Sequence, residues 1–264
     1  MLGAGAPDGC CRSPVHNGNA CDTIDPMTHA YDSIAEAYAA LNETSLLNEY
    51  YNRPALAEMA GNVAGLRVLD AGCGSGSIFA DLRAGGAVVS GIDSSAGMVE
   101  QAELRLGDGA DLAVADLGEP LPFDDDTFDL VVASQVLHYL EDWGATLGEF
   151  RRILKPAGRL IISEEHPSAT FLGDRLSGGD SEYFGIRSRT EEWSLGGRSA
   201  QLVFWDRPPH AMTDAFAAAG FRITALSEPA PSADAYERFP DEFAGRPSGR
   251  FLAFLLFDLE SGKR

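Results

Sequence analysis

Three aspartates and three glycines in this chain have the types and spacing to hold a nucleotide-like ligand. Asp70 closes an apolar run, residues 66–69. Gly72, Gly74 and Gly76 follow at alternate positions, with Cys73 between the first two. Glycine lets a chain turn sharply and bring its backbone against a ligand, because no Cβ stands in the way. Asp93 lies 21 residues beyond Gly72 and ends a second run, 87–92. An acid there is placed to accept two ribose hydroxyls. Met98 sits one helical turn later and offers a polarizable side chain to an adenine face. Asp116 and Leu117 end a third short run, 111–115, and Ser134 ends a fourth, 128–133.

A second set of residues can move protons. His138 and Tyr139 follow the fourth run, Glu164, Glu165 and His166 end a fifth, 159–163, and His210 lies in an Arg-Pro-Pro-His run. Imidazole takes a proton near neutral pH, so His138 and His166 are the candidate catalytic bases. Each also reads as a structural histidine. The candidate substrate contacts are His138, Tyr139, His166, Tyr183 and His210. Tyr183, Trp193 and Trp205 either wall a substrate or anchor the segment that carries them. The two glutamates can hold a cation or orient His166, and strand alternation lets only one of them point into a pocket. Asp124, Asp125 and Asp126 read as a solvated turn rather than a metal site. His16 and His29 read as solvent-facing.

These residues need particular elements to position them. The run 66–69, the glycine turn and a helix at 78–82 form a strand, turn and helix, whose free N–H groups favour an anion. The glycine spacing departs from the dinucleotide fingerprint, which wants Gly or Ala where Ser77 stands. Runs 87–92, 111–115 and 128–133 would be parallel strands whose ends share one sheet edge, where doubly wound folds bind ligands. Helices are expected at 28–41, 46–59, 143–154 and 208–219, the last capped by Gly220, and further strands at 201–205, 221–226 and 251–257.

The motifs LDAGCGSG at 69–76, GIDSS at 91–95, ADL at 115–117, PFDDDTFDLVVASQVLHYL at 122–140 and RILKPAGRLIIS at 152–163 together resemble the class I S-adenosylmethionine-dependent methyltransferases. The resemblance implies an α/β fold: a doubly wound, Rossmann-like seven-stranded sheet with its last strand antiparallel. It implies S-adenosyl-L-methionine as cofactor, held by Asp70, Gly72, Cys73, Gly74, Asp93, Ser94, Met98, Asp116, Leu117 and Ser134. The run YDSIAEAY, residues 31–38, resembles the family's N-terminal lid helix, which adds Tyr31 and Tyr38 to the cofactor contacts. An aromatic-x-Arg-Pro run ending at Pro54 is also familiar in the family. The reaction implied is in-line displacement at the methyl group, with positioning and exclusion of water as the protein's main contribution.

Composition bounds the reading. The chain has 264 residues, 45% of them hydrophobic, and a formal charge of −20. That suits one sizeable core and argues against affinity for nucleic-acid phosphates. No apolar run approaches the length of a membrane span. A small-molecule acceptor is expected, neutral or cationic, in bacterial-type specialised metabolism. A cytoplasmic setting is expected as well, and a homo-oligomer stays open. Cys10, Cys11 and Cys21 form no familiar metal spacing. Residues 1–26 read as a disordered leader, 27–64 as the lid, and 167–200, which shows no clean period, as a cap inserted over the acceptor site. The methyltransferase domain would run over 27–264. Two alternatives remain: a methyltransferase-like cyclase or cofactor-binding regulator, and, more remotely, a nicotinamide-dependent oxidoreductase.

Overall fold

Runs such as Leu130-Val131-Val132-Ala133 and Leu160-Ile161-Ile162 are apolar without alternation, so they must be strands covered on both faces. The computed structural model, which describes residues 26–246 and 249–262, places them at the centre of a seven-stranded sheet. The first half of the chain runs α1 (Pro26–Asn42), a π-helical turn (Asn48–Asn52) continuing into α2 (Arg53–Ala60), β1 (Arg67–Ala71), α3 (Ser77–Ala84), β2 (Val88–Asp93), α4 (Ala96–Leu106), β3 (Asp111–Val114) and β4 (Phe128–Ser134). After a 3-10 turn (Leu137–Tyr139) come α5 (Gly144–Ile153), β5 (Leu154–Glu165), α6 (Pro167–Leu176), β6 (Arg187–Leu195) and β7 (Arg198–Asp206). The chain closes with α7 (Pro209–Ala218), β8 (Phe221–Ser227), α8 (Ala233–Arg238), α9 (Pro240–Phe243) and β9 (Phe254–Ser261). The expected leader lies outside the described residues but for its last position, and Cys10, Cys11, Cys21 and His16 lie outside them too.

The sheet order is β3-β2-β1-β4-β5-β9-β8. Neighbours are parallel except β9, which runs antiparallel to both β5 and β8. Alternate side chains serve opposite layers. Leu69, Val131 and Ile162 pack under α5 and α7 with Trp143, Phe150 and Phe216. Val68, Val132 and Ile161 pack against Leu56, Phe79 and Leu106 of α2, α3 and α4. The chain works outward from β1 to β3, then crosses back to place β4 on the other side of β1. The crevice opens at that reversal, beyond the strands' carboxyl ends.

The stretch 167–200 is more regular than its sequence pattern suggests. It holds a helix, α6, and a strand, β6, which pairs with β7 in a separate two-stranded antiparallel sheet. The expected strand at 201–205 is therefore the second half of a hairpin. β6 reads Arg-Ser-Arg-Thr-Glu-Glu-Trp-Ser-Leu, polar almost throughout, so hydropathy carries no period there. The hairpin is held by Leu202 and Phe204 of β7, which bury against Ala30 and Ile34 of α1. Boundaries moved elsewhere. β9 begins at Phe254 rather than 251, and β5 begins at Leu154, with Ala157 at φ +63° and a register shift against β4 between Phe128 and Leu130. Gly220, at φ +80°, follows the C-terminal cap of α7.

Candidate active site

A cavity of about 1170 Å³, counted with its open mouth, lies over the carboxyl ends of β1, β2 and β4. Its floor is the glycine turn. Gly72 (φ +76°) and Gly74 (φ +51°) are in the left-handed region, and a Cβ on Gly72 would collide with Val136, whose own Cβ would lie only 2.8 Å away. Only glycine fits there. Cys73 also lines the cavity, and burial pushes its thiol upward, so it stays protonated and inert.

Asp93 ends β2 at the cavity wall. Its Oδ2 accepts the Gly74 N–H at 2.9 Å and its Oδ1 the Ser95 N–H at 2.9 Å. Both oxygens keep a lone pair for a ligand. Burial raises its pKa, against the pull of those two bonds. Ser94 and Met98 flank it, and Asp116 and Leu117 close that end, Asp116 Oδ1 accepting the Gly118 N–H at 2.7 Å. Asp70 does not reach the cavity wall. It is 1% exposed beneath the glycine turn and faces the Phe79 N–H, with neither oxygen in good hydrogen-bond geometry. Burial and the nearby Asp93 raise it to about 7.

The roof is aromatic. Tyr31 and Tyr38 of α1 and Tyr139 of the 3-10 turn line the cavity, and the Tyr31 and Tyr139 hydroxyls hydrogen-bond each other. Tyr31 meets Tyr38 edge-on at 5.2 Å, and Trp193 of the hairpin stacks on Tyr38 at 5.8 Å. Burial raises all three tyrosines. Asp32, which sequence reasoning passed over, fastens α1 to the floor: its Oδ1 accepts Ser95 Oγ at 2.6 Å and the Gly97 N–H at 2.9 Å. The far wall was missed as well. Asn42, Asn48, Asn52 and Arg53 line it, facing Ser134 and Gln135. The hints in the sequence were the aromatic-x-Arg-Pro run that holds Asn52 and Arg53 and the polar composition of 42–53 within a helical stretch.

The expected bases lie elsewhere. His138 is not on the cavity wall. Its Nδ1 pairs with Glu164 Oε2 at 3.0 Å, its ring packs on Tyr139 and Phe204, and Glu164, 2% exposed, also accepts the Leu137 N–H at 3.0 Å. Glu164 therefore orients His138, not His166. Glu165 pairs with Arg189 of the hairpin, so neither glutamate faces the cavity. His166 caps α6: Nδ1 accepts the Ser168 N–H at 3.1 Å, which leaves Nε2 to carry the hydrogen toward Glu228 Oε1 at 3.0 Å. Both ring nitrogens of His166 are engaged in these contacts, whereas His138 keeps Nε2 buried and unpaired, away from the wall of this cavity. Tyr183 packs between Phe171 and Phe184, and its hydroxyl meets Ser168 Oγ at 3.3 Å. His210 is exposed at the start of α7. Neither reaches the cavity. Trp193 anchors the hairpin to α1, while Trp205 lies opposite Ser188 in the hairpin. The acids 124–126 form a turn tied to α5, with Arg152 bonding Asp125 at 3.0 Å.

The sheet order, the glycine turn after β1 and the acid ending β2 define the Rossmann-like class I methyltransferase fold. Residues 69–162 match the family described as Methyltransferase domain. A demethylmenaquinone methyltransferase of Clavibacter sepedonicus is 39% identical over 137 residues, 51% of this chain and 56% of that protein. The chain thus spans little more than half the length of the curated relative it matches. An S-adenosylmethionine-dependent methyltransferase from Mesorhizobium loti superposes with a TM-score of 0.62 at 25% identity, over 83% of this chain and 99% of that one. A complex of DhpI with SAH shares the fold at a TM-score of 0.63 and 21% identity, over 93% of this chain and all of that one. Over residues 69–162 the chain matches that methyltransferase domain family, and its fold is the one shared by the class I S-adenosylmethionine-dependent methyltransferases. The cavity fits that cofactor, with a cradle that admits no Cβ at Gly72 and buried Ser75 and Ser77 hydroxyls that lack partners. Among the described residues, no helix is long and apolar enough to cross a membrane.

Proposed function

We propose that this protein transfers a methyl group from S-adenosylmethionine to a neutral, electron-rich small molecule. Asp93 would take the ribose hydroxyls, Gly72 and Gly74 the amino-acid end, and Met98, Asp116 and Leu117 the adenine. The cofactor supplies an electrophilic methyl on a sulfonium. The chain's own part is to exclude water, present aromatic faces toward the cation and hold the acceptor. One observation carries the acceptor class. Among the described residues, the cavity wall has carboxylates only at Asp93 and Asp116, on the side read as the cofactor's, and its tyrosines and its thiol are all raised by burial. No side chain there is poised to strip a proton near neutral pH, and no carboxylate faces a cationic acceptor. The substrate must bring its own nucleophilicity, as an aromatic diol carbon does.

The name of the Clavibacter relative supports a quinol-type acceptor, whereas a place in specialised metabolism rests on the long cap and the acidic surface alone. The family match stops at residue 162, before the hairpin that closes the roof, so the acceptor is argued from the cavity. The test is calorimetry with S-adenosylhomocysteine, then labelled methyl transfer to 1,4-naphthohydroquinone beside amine acceptors. Transfer to the diol is expected. Tight cofactor binding with no transfer to any acceptor would move the reading to a cyclase or regulator.

A further inference from the structure

Asn52 is 3% exposed and lines the cavity, and its side-chain oxygen has no hydrogen-bond partner. A buried amide oxygen left unpaired costs stability unless something fills the position. Its surroundings fix which end of the amide is free. The Asn52 NH₂ donates to Ser134 Oγ at 2.9 Å. Ser134 Oγ in turn lies 3.3 Å from Ser163 Oγ, which also accepts Gln135 Nε2 at 3.2 Å. With the Ser134 hydroxyl donating to Ser163, Oδ1 of Asn52 is left buried and unpaired in the wall of the cavity.

Two backbone features, far apart in sequence, aim this wall. Asn52 ends the π-helical turn Asn48–Asn52, a geometry found mostly as single turns at functional sites. That turn is pinned from outside. Tyr51 stacks on Phe251 at 5.4 Å and donates its hydroxyl to Phe251 O at 2.6 Å, and the Tyr50 carbonyl accepts the Ser232 N–H at 2.7 Å. Across the cavity Gln135 sits at φ +52°, a strained conformation for a residue with a side chain. Strain on one side and a π turn on the other converge on Asn52, Ser134 and Gln135.

From this we infer that Asn52 is a ligand-binding residue, whose Oδ1 accepts a hydrogen bond from an N–H or O–H of the bound ligand. The inference rests on the methyltransferase reading. The donor has two sources, the amino group of the cofactor or a hydroxyl of the acceptor.

Calorimetry on the full chain separates them. The first probe pair is S-adenosylhomocysteine and 5′-methylthioadenosine, which lacks the amino-acid end. The second, with S-adenosylhomocysteine saturating, is 1-naphthol and 1-methoxynaphthalene, which lacks the hydroxyl donor. Wild type should favour the donor-bearing member of at least one pair, and Asn52→Leu should cut that preference by roughly tenfold. The pair affected names the source. Loss of the Ser134 bond alone would weaken both members of a pair alike. If Asn52→Leu shows no cooperative melt, Asn52→Ala is read in its place, since it adds no bulk. Preferences unchanged in the variant, or absent from wild type, overturn the inference. Failure of wild type to bind S-adenosylhomocysteine would instead overturn the methyltransferase reading.

Discussion

The two halves of the cavity are built on different principles. The half over β1 and β2 is made largely by the main chain. Gly74 reaches Asp93 across 19 positions and Ser95 reaches it across 2, and the glycine torsions set the shape. The half toward α1 and the hairpin is made by side chains brought from afar: Tyr31 meets Tyr139 across 108 positions and Asn52 meets Ser134 across 82. A backbone cradle tolerates little variation in residue type, while a side-chain wall can be rebuilt. On this reading the first half serves one shared cofactor and the second is where an acceptor is chosen.

The sharpest way to break this comparison is Asp93→Ala. It removes a carboxylate that both orders the glycine turn and faces the cavity. A loss of about 2–4 kcal/mol in S-adenosylhomocysteine binding is expected by calorimetry. Wild-type affinity in the variant would take Asp93 out of the site.

Leu202→Ala tests the other half. Leu202 is fully buried between the hairpin and α1. Its truncation should cost about 2–3 kcal/mol, near the low end for such changes because a two-stranded hairpin can relax. Hydrogen exchange should quicken in β6, β7 and α1 and stay slow in the seven-stranded sheet. If the sheet loosens equally, the halves are one cooperative unit.

Asp70 sharpens the comparison through pH. Its folded value near 7 stands above the ordinary 3.8. The folded state therefore holds a proton that the unfolded chain has lost, and stability falls as pH rises from about 4 to about 7, by at most about 1.4 kcal/mol per pH unit. Urea denaturation of the ligand-free protein across that window should show the slope in wild type and a flatter profile in Asp70→Asn. An identical slope in the variant would assign it to other groups.

The smallest effect is expected at His166. Replacing it with Ala removes a helix cap and should cost about 1 kcal/mol of stability. Turnover should stay near wild type, far from the roughly 10²–10⁴-fold loss that follows removal of a general base. A loss of that size would return His166 to the chemistry.

What the sequence determined by itself is the half that depends on backbone. Three glycines at alternate positions after an apolar run and an acid 21 residues on can be read directly, because the turn needs glycine torsions and the acid needs a strand end. The central strands were equally legible from their unbroken apolar runs. Tertiary structure alone decided the rest. His138 and His166 have the chemistry of bases, yet one is bound to Glu164 and the other caps a helix, because a titratable side chain's role depends on which partners the fold delivers. β6 was hidden because its alternation is between half-buried and exposed residues that are mostly polar, which hydropathy does not separate. Asn52 looked like one polar residue among several in a helical stretch. Only the π turn, fastened from behind by Tyr51, brings its amide into the cavity wall with one oxygen buried and unpaired.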